Sequence, residues 1–457
     1  MDKRLNRRQF LKHVAIGASA LAAAPLVGCG SPAATSTEDA PAATAVGSTS
    51  DAAGATQLQK VRGLAWSNGP AIDENFKKRI TMFNESHQRA IELDLQFLPY
   101  DQYWQKIDLA YASNQPYDFY YWDVQAYGHY KKDLLLNVDP FLQNAGDMMD
   151  SSKYPVDLYK PWRFDGAHLY GVPENLQTMV LYYNKDIFDK AGMKYPDDTW
   201  TWDDALAAAK QLTVREGDEV TQWGMDIGAL SIWWGLQTLS WSQDDSFFDK
   251  VLEPSQFKMS SPANIQAMKF VQDLIWKDKV APNAAQRSSA GQDVGIFESG
   301  RTAMRPEGSW NIAGFSALPF KWDMAPLPKW RDKRVVPYWM GGWVFPKASK
   351  VSEAAFEFAR WSATDFQPQM AKDHDWIPLS NAARNSPDML QGMPSGFKTS
   401  LDALASANVG DLYHQNSQQI INEVFNPTFE QVWENNLTPE DAAKQIDEKA
   451  NALLKKT

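Results

Sequence analysis

The chain has a single cysteine, Cys29, in 457 residues. An intramolecular disulfide is therefore excluded, and the fold must stand on its buried core. Histidine is scarce too: His13, His87, His129, His168, His374 and His414 are scattered without metal-ligand spacing, so no transition-metal site is expected. The sequence holds no Gly-rich phosphate loop, no G-x-S-x-G elbow and no EF-hand loop, the patterns that mark nucleotide, hydrolase-elbow and calcium sites. No cofactor is called for. Carboxylates are plentiful, and a glycosidase pair can lie far apart in a chain, so spacing alone does not exclude one.

Positive charge is also in deficit, with 45 Lys and Arg against 56 Asp and Glu for a net charge of -11. Five basic residues (Lys3, Arg4, Arg7, Arg8, Lys12) and one acid (Asp2) fall in the first 28 positions; beyond them 40 basic residues face 55 acidic ones. Such an acidic body argues against nucleic acid and against direct binding to anionic lipid. The basic start, Met1 to Lys12, is followed by an apolar, small-residue run from Val14 to Val27. That run is shorter than the ~20 residues of a membrane span and suits the core of a signal peptide. Arg7-Arg8-Gln9-Phe10-Leu11-Lys12 fits a twin-arginine export signal, with Asn6 in place of the usual Ser or Thr. Leu26-Val27-Gly28-Cys29 looks like a bacterial lipobox. The expectation is a signal peptide over 1–28 and a lipid on Cys29. A disordered tether then follows to 57, because Gly30 to Gln57 is nearly all Ala, Ser, Thr, Pro, Gly and a few acids.

From Leu58 onward strands alternate with helices. Val61 to Trp66, Ile91 to Phe97 and Tyr117 to Trp122 read as strands, and Asp73 to Glu85 and Tyr103 to Ala112 as helices. This pattern implies an α/β architecture with mostly parallel sheets. Tyr170 to Pro173 reads as a turn, Thr178 to Tyr183 as a buried strand, and Asp186 to Lys190 as a helix that Gly192 ends in a left-handed conformation. Thr201 with Asp204, Ser261 with Pro262, and Thr438 with Pro439 are helix starts. Trp223 to Ile227 is expected as a strand. Trp200, Trp202, Trp276, Trp361 and Trp433 lie in or beside helical patterns and read as core.

What the chain has in excess is aromatic surface: 19 Trp, 22 Phe and 16 Tyr. A pyranose ring presents a flat face of C–H groups and an edge of hydroxyls. Tryptophan offers a rigid plane for the first, and Asp, Glu, Asn and Gln reach the second. In α/β sheets ligands lie beyond the carboxyl ends of strands, which is where Trp66, Asn68, Trp122, Asp123 and Gln125 fall.

Four motifs occur in order: Tyr170-Gly171-Val172-Pro173 with Leu181-Tyr182-Tyr183-Asn184-Lys185, Phe297 through Met304 with Gly308-Ser309-Trp310, Pro326-Leu327-Pro328 with Gly341-Gly342, and the capped terminal helix. Together with the lipobox, this series resembles the extracellular sugar-binding proteins of ABC importers, the group that includes the maltose-binding protein. The resemblance covers roughly Val61 to Leu454. It implies a type II periplasmic-binding-protein fold, with one lobe over 58–175 and 343–390 and the other over 176–342 and 391–457. Hinge crossovers are expected near Pro173–Thr178, Pro337–Trp343 and 386–410. A monomer is expected, held to the outer face of a bacterial membrane by Cys29 and passing a carbohydrate to ABC permease subunits, with no catalysis. The ligand-binding residues it implies, beyond those already named, are Glu174, Trp233 or Trp234, Ser309, Trp310, Gly342, Trp343 and Trp376. Two alternatives stay open: a non-sugar solute such as a polyamine, and an exported carbohydrate-active enzyme.

Overall fold

The computed structural model describes residues 58–67, 69–87, 90–122, 126–154, 156–289 and 295–456. The export signal, Cys29, the tether, Asn68, Asp123 and Gln125 lie outside the described residues. Among the described residues eleven strands are formed: β1 (Gln59–Trp66), β2 (Ile91–Leu98), β3 (Phe119–Tyr121), β4 (Gly171–Asn184), β5 (Val214–Glu216), β6 (Glu219–Gln222), β7 (Met304–Gly308), β8 (Trp322–Pro326), β9 (Val336–Val344), β10 (Ile377–Pro378) and β11 (Ala407–Val409). The short pair β5–β6 stands apart from the other nine, which form one mixed sheet.

Parallel pairing holds where the sequence alternates strand and helix: β1 pairs parallel with β2 and β3, and β11 with β9. Antiparallel pairs outnumber these in the sheet, against the expected mostly parallel pairing: β3 pairs antiparallel with β9, and the long strand β4 with β7, β8, β9 and β10. The first half of β4, 171–178, pairs with β9, and its second half pairs with β7 and β8. Tyr170 to Pro173 is therefore not a free turn, since β4 already starts at Gly171. That start is crowded: a Cβ on Gly171 would meet the Trp162 ring at 2.6 Å, which accounts for glycine there.

Alternation along β4 sends successive side chains to opposite faces. Val180 and Tyr182 join one hydrophobic cluster, whereas Met179, Leu181 and Tyr183 join a second. The first cluster gathers the N-terminal strands and helices with buried residues of 340–401 and with Phe297, Ile312, Phe315, Met324 and Tyr413, and the second gathers buried residues of 187–281 with Ala303, Met304, Ala325, Leu327, Val336, Leu412 and those of 420–453. One continuous strand, apolar on both faces, thus ties two cores together.

Local chemistry sets the helix ends as expected. Gly192 closes the helix Lys185–Ala191 at φ 64°. Thr201 and Asp204 form a reciprocal capping box on Trp202–Leu212. Ser261 and Thr438 cap helices that begin with proline. Two further expectations fail. Trp223 to Ile227 forms only an isolated bridge, Trp223 to Thr302. Trp276 is not core: it is 37% exposed, with its indole N–H donated to the Trp433 carbonyl at 3.0 Å. Trp202, Trp361 and Trp433 are buried.

Candidate functional site

A cavity of about 600 Å3 opens where the two hydrophobic clusters meet, within the ~300–1,000 Å3 range usual for ligand sites. Seven of the 19 tryptophans line it: Trp66, Trp122, Trp233, Trp234, Trp310, Trp339 and Trp376. On one side Trp234, Trp310 and Trp339 stand edge to face, with ring centres 5.0–5.7 Å apart. On another, Trp66 packs edge-on against Tyr121 at 4.8 Å and Tyr100 at 5.6 Å. Trp122 is stacked on Phe164 at 5.0 Å. These mutual contacts hold the rings rigid before any ligand arrives.

Glycines let the rings approach the backbone. A Cβ on Gly308 would meet the Trp310 indole at 2.2 Å, and one on Gly410 would meet Trp339 at the same distance. Gly341 lies against the Tyr121 hydroxyl, which accepts a bond of 2.8 Å from the Asn175 amide. Burial pushes the Tyr121 phenol well above its ordinary pKa, so it stays neutral.

The polar lining is mostly amide: Gln177, Gln418, Asn422 and Asn426, with one carboxylate, Asp411. Tyr413 donates to Asp411 at 2.8 Å. No Lys, Arg or His is among the described lining residues. The Trp376 indole N–H is buried and has no partner among the described residues. A buried donor without an acceptor is uncommon in native proteins.

Of the tryptophans expected at the site, Trp66, Trp122, Trp233, Trp234, Trp310 and Trp376 are brought together here. Trp233 and Trp234 both contribute, although they are adjacent. Trp233 is buried against Phe425, whereas Trp234 is half-buried and meets Trp310 and Trp339. Ser309 is not in the wall: its hydroxyl accepts from the Thr178 N–H at 3.1 Å behind it.

Glu174, Gly342 and Trp343 are not in the wall either. Trp343 is wholly buried among Phe76, Phe119, Tyr121 and Phe358, and its indole N–H donates to Glu174 at 2.8 Å. Glu174 also accepts from Arg79 at 2.6 Å and from Ser362 at 2.5 Å. Arg79 bonds Asp375 at 2.7 Å on its other side, and its plane lies between Phe76 and Phe366. Burial opposes the Arg79 charge, but Glu174 and Asp375 outweigh it and raise its pKa. Burial raises the Asp375 carboxyl, partly offset by Arg79. These groups form a structural ion cluster directly behind Trp376. Gly342 is packed against the Val172 carbonyl at a would-be Cβ distance of 2.3 Å.

Residues the sequence reading passed over include Gln177, Trp339 and the row Gln418, Asn422, Asn426. The row rides on a continuous helix in which a π turn, Ile421–Phe425, joins Ser417–Ile420 to Asn426–Trp433. Its signal was a run of amides spaced four apart, followed by Pro427. A second, larger hollow of about 950 Å3 lies beside Asp244, Asp249, Lys329 and Val409. Two of its lysines are already paired, Lys258 with Asp245 at 3.6 Å and Lys333 with Asp244, and it has one tryptophan, Trp241. The smaller, aromatic cavity is the candidate site.

The sheet is strung between two cores, with an aromatic hollow where they meet, an arrangement open to a solute. The family model described as bacterial extracellular solute-binding protein matches residues 65–365, and the chain belongs to that family. Its fold is the two-lobe type II periplasmic-binding-protein fold. It is 25% identical over 437 residues to the arabinooligosaccharide-binding protein of Halalkalibacterium halodurans, covering 88% of this chain and 91% of that one. It is 24% identical over 259 residues to the sn-glycerol-3-phosphate-binding periplasmic protein UgpB of Rhizobium meliloti, 53% of this chain and 56% of that one. Among solved structures, the ABC substrate-binding protein Lmo0181 from Listeria monocytogenes in complex with cycloalternan superposes with a TM-score of 0.77 at 24% identity, covering 87% of this chain and 99% of that one.

Proposed function

We propose that the chain captures an oligosaccharide in the tryptophan cavity and delivers it to an ABC importer. The observation that carries this reading is the convergence of seven indoles and four side-chain amides on one hollow. Flat aromatic faces match the C–H faces of pyranose or furanose rings, and neutral amides match hydroxyls without demanding a charge. The arabinooligosaccharide-binding relative and the cycloalternan complex support the same ligand class. A phosphate ester, the ligand named for the more distant UgpB relative, would meet no cation among the described lining residues. A polyamine would meet a single carboxylate among the described lining residues, one charge for its several ammonium groups.

Lobes over 58–175 with 343–390 and over 176–342 with 391–457 would close on the ligand by a hinge motion about β4 and β9, a population shift driven by contacts to both sides. Trp66, Trp122 and Trp376 fall in the first range, and Trp234, Trp310 and the amide row in the second. A lipid on Cys29 would hold the monomer at the membrane. No covalent step is assigned to it.

A thermal-shift screen tests the reading. A ligand present at 100 times its Kd stabilises by about 2.7 kcal/mol, so a binding saccharide should raise Tm visibly. If every saccharide fails while a polyamine or chelate raises Tm, the ligand class is wrong. Glycoside turnover abolished by one carboxylate substitution would instead identify an enzyme.

A further inference from the structure

The helix carrying Gln418, Asn422 and Asn426 is not a regular α-helix, and its irregularity falls within this row. The Asn426 N–H donates to the Ile421 carbonyl, five residues back. Pro427 follows and has no N–H to offer. The α-helical partner of the Glu423 carbonyl is thereby missing, and a proline ring would crowd that carbonyl in a regular turn. A widened turn eases that crowding.

Widening changes which side chains share a face. At 3.6 residues per turn, residues four apart drift by about 40° per step, so a regular helix would turn the third member of the row about 80° from the first. A π turn holds more residues per revolution and cancels much of that drift. All three amides line the cavity, and among the described residues none of the three side chains has a hydrogen-bond partner. Asn422 and Asn426 are exposed, so nothing in the packing requires an amide at either position. Across the hollow the buried Trp376 N–H also lacks an acceptor.

We propose that Gln418, Asn422 and Asn426 read the hydroxyl edge of a neutral, unphosphorylated and non-uronic oligosaccharide, and that the π turn imposed by Pro427 sets their register. This deepens the sugar-binding reading and rests on it. Neutrality follows from the lining: no described cation is there to pair an anion, and a single described carboxylate offers one charge where a polycation needs several. Pro427 is a positioning residue. It touches no ligand, and it acts by aiming Gln418 and Asn422.

Calorimetric titration of the whole protein decides it. The probes are neutral trisaccharides of arabinose, glucose and mannose, a trigalacturonate, glycerol 3-phosphate and spermidine. A neutral trisaccharide should bind. Each of Gln418→Ala, Asn422→Ala and Asn426→Ala should weaken it about three- to tenfold, and the triple variant by more than about thirtyfold. Pro427→Ala should weaken the same ligand without lowering Tm. A singly deoxygenated analogue that binds the wild type less tightly should lose nothing further against the variant lacking its amide. If a neutral trisaccharide binds and the triple variant stays within twofold of wild type, the amide row is not the reader, and the sugar reading stands. Should trigalacturonate bind more tightly than any neutral probe, the neutral class is overturned. Tighter binding of spermidine or glycerol 3-phosphate would overturn both readings.

Discussion

Arg79→Met is the substitution whose cost the structure fixes most closely. Arg79 lies between Glu174 and Asp375, and the three side chains are 0%, 0% and 1% exposed. Methionine fills much of the arginine stem's volume but leaves two carboxylates buried without a counter-charge. Breaking such a pair costs about 3–5 kcal/mol. Glu174 keeps its bonds from Trp343 and Ser362, and Asp375 keeps one from Asn75 at 3.0 Å, which places the expected loss toward the lower end. The pH dependence has a definite sign. Burial already raises the Asp375 carboxyl, and without Arg79 it rises further above its unfolded value of about 4. A carboxyl raised on folding adds stability at low pH and loses it as pH climbs through the folded pKa. The deficit of Arg79→Met relative to wild type should therefore be smaller at pH 5 than at pH 8 in urea unfolding followed by circular dichroism. Adding Glu174→Gln and Asp375→Asn should recover most of the loss. A deficit below about 1 kcal/mol, or one that is the same at both pH values, would refute the reasoning.

Trp310→Ala removes one plane of the indole trio and should weaken saccharide binding more than tenfold, above ~1.4 kcal/mol, with unchanged far-UV circular dichroism; unchanged affinity would take Trp310 out of the site. Trp376→Phe deletes the unpartnered N–H together with the five-membered half of the buried indole, so Tm should fall somewhat while affinity falls about three- to tenfold. Equal affinity would mean the ligand does not accept from Trp376. Cys29→Ala should move the exported protein from the membrane fraction to the soluble one, and a protein that stays membrane-bound has another anchor.

The sequence was most legible where the deciding chemistry is local. A glycine at the end of a helix, a Thr with an Asp three residues on, or a Ser before a Pro each answers to backbone groups within one turn, and Gly192, Thr201, Ser261 and Thr438 all lie where they were expected. The aromatic excess anticipated a cavity lined by indoles. Trp343 and Glu174 were misjudged because their partners are remote: Glu174 meets Arg79, 95 residues away, and Trp343, 169 residues away. Nothing near either residue shows that a buried cation waits for it. Trp276 was misjudged for the opposite reason, since an apolar residue at the end of a helical stripe can complete the pattern and still face water. The amide row was visible as spacing but carried no apolar contrast, and the effect of Pro427 on register appears only once the helix on either side is seen to be continuous.

Selective 15N labelling of tryptophan tests the central claim most directly, because each indole N–H gives its own resonance. On titration with the saccharide that most raises Tm, the resonances of Trp66, Trp234, Trp310, Trp339 and Trp376 should shift in proportion to occupancy, while those of Trp202, Trp276 and Trp433 stay in place. Shifts confined to the second group, or to Trp241 beside the larger hollow, would contradict the account.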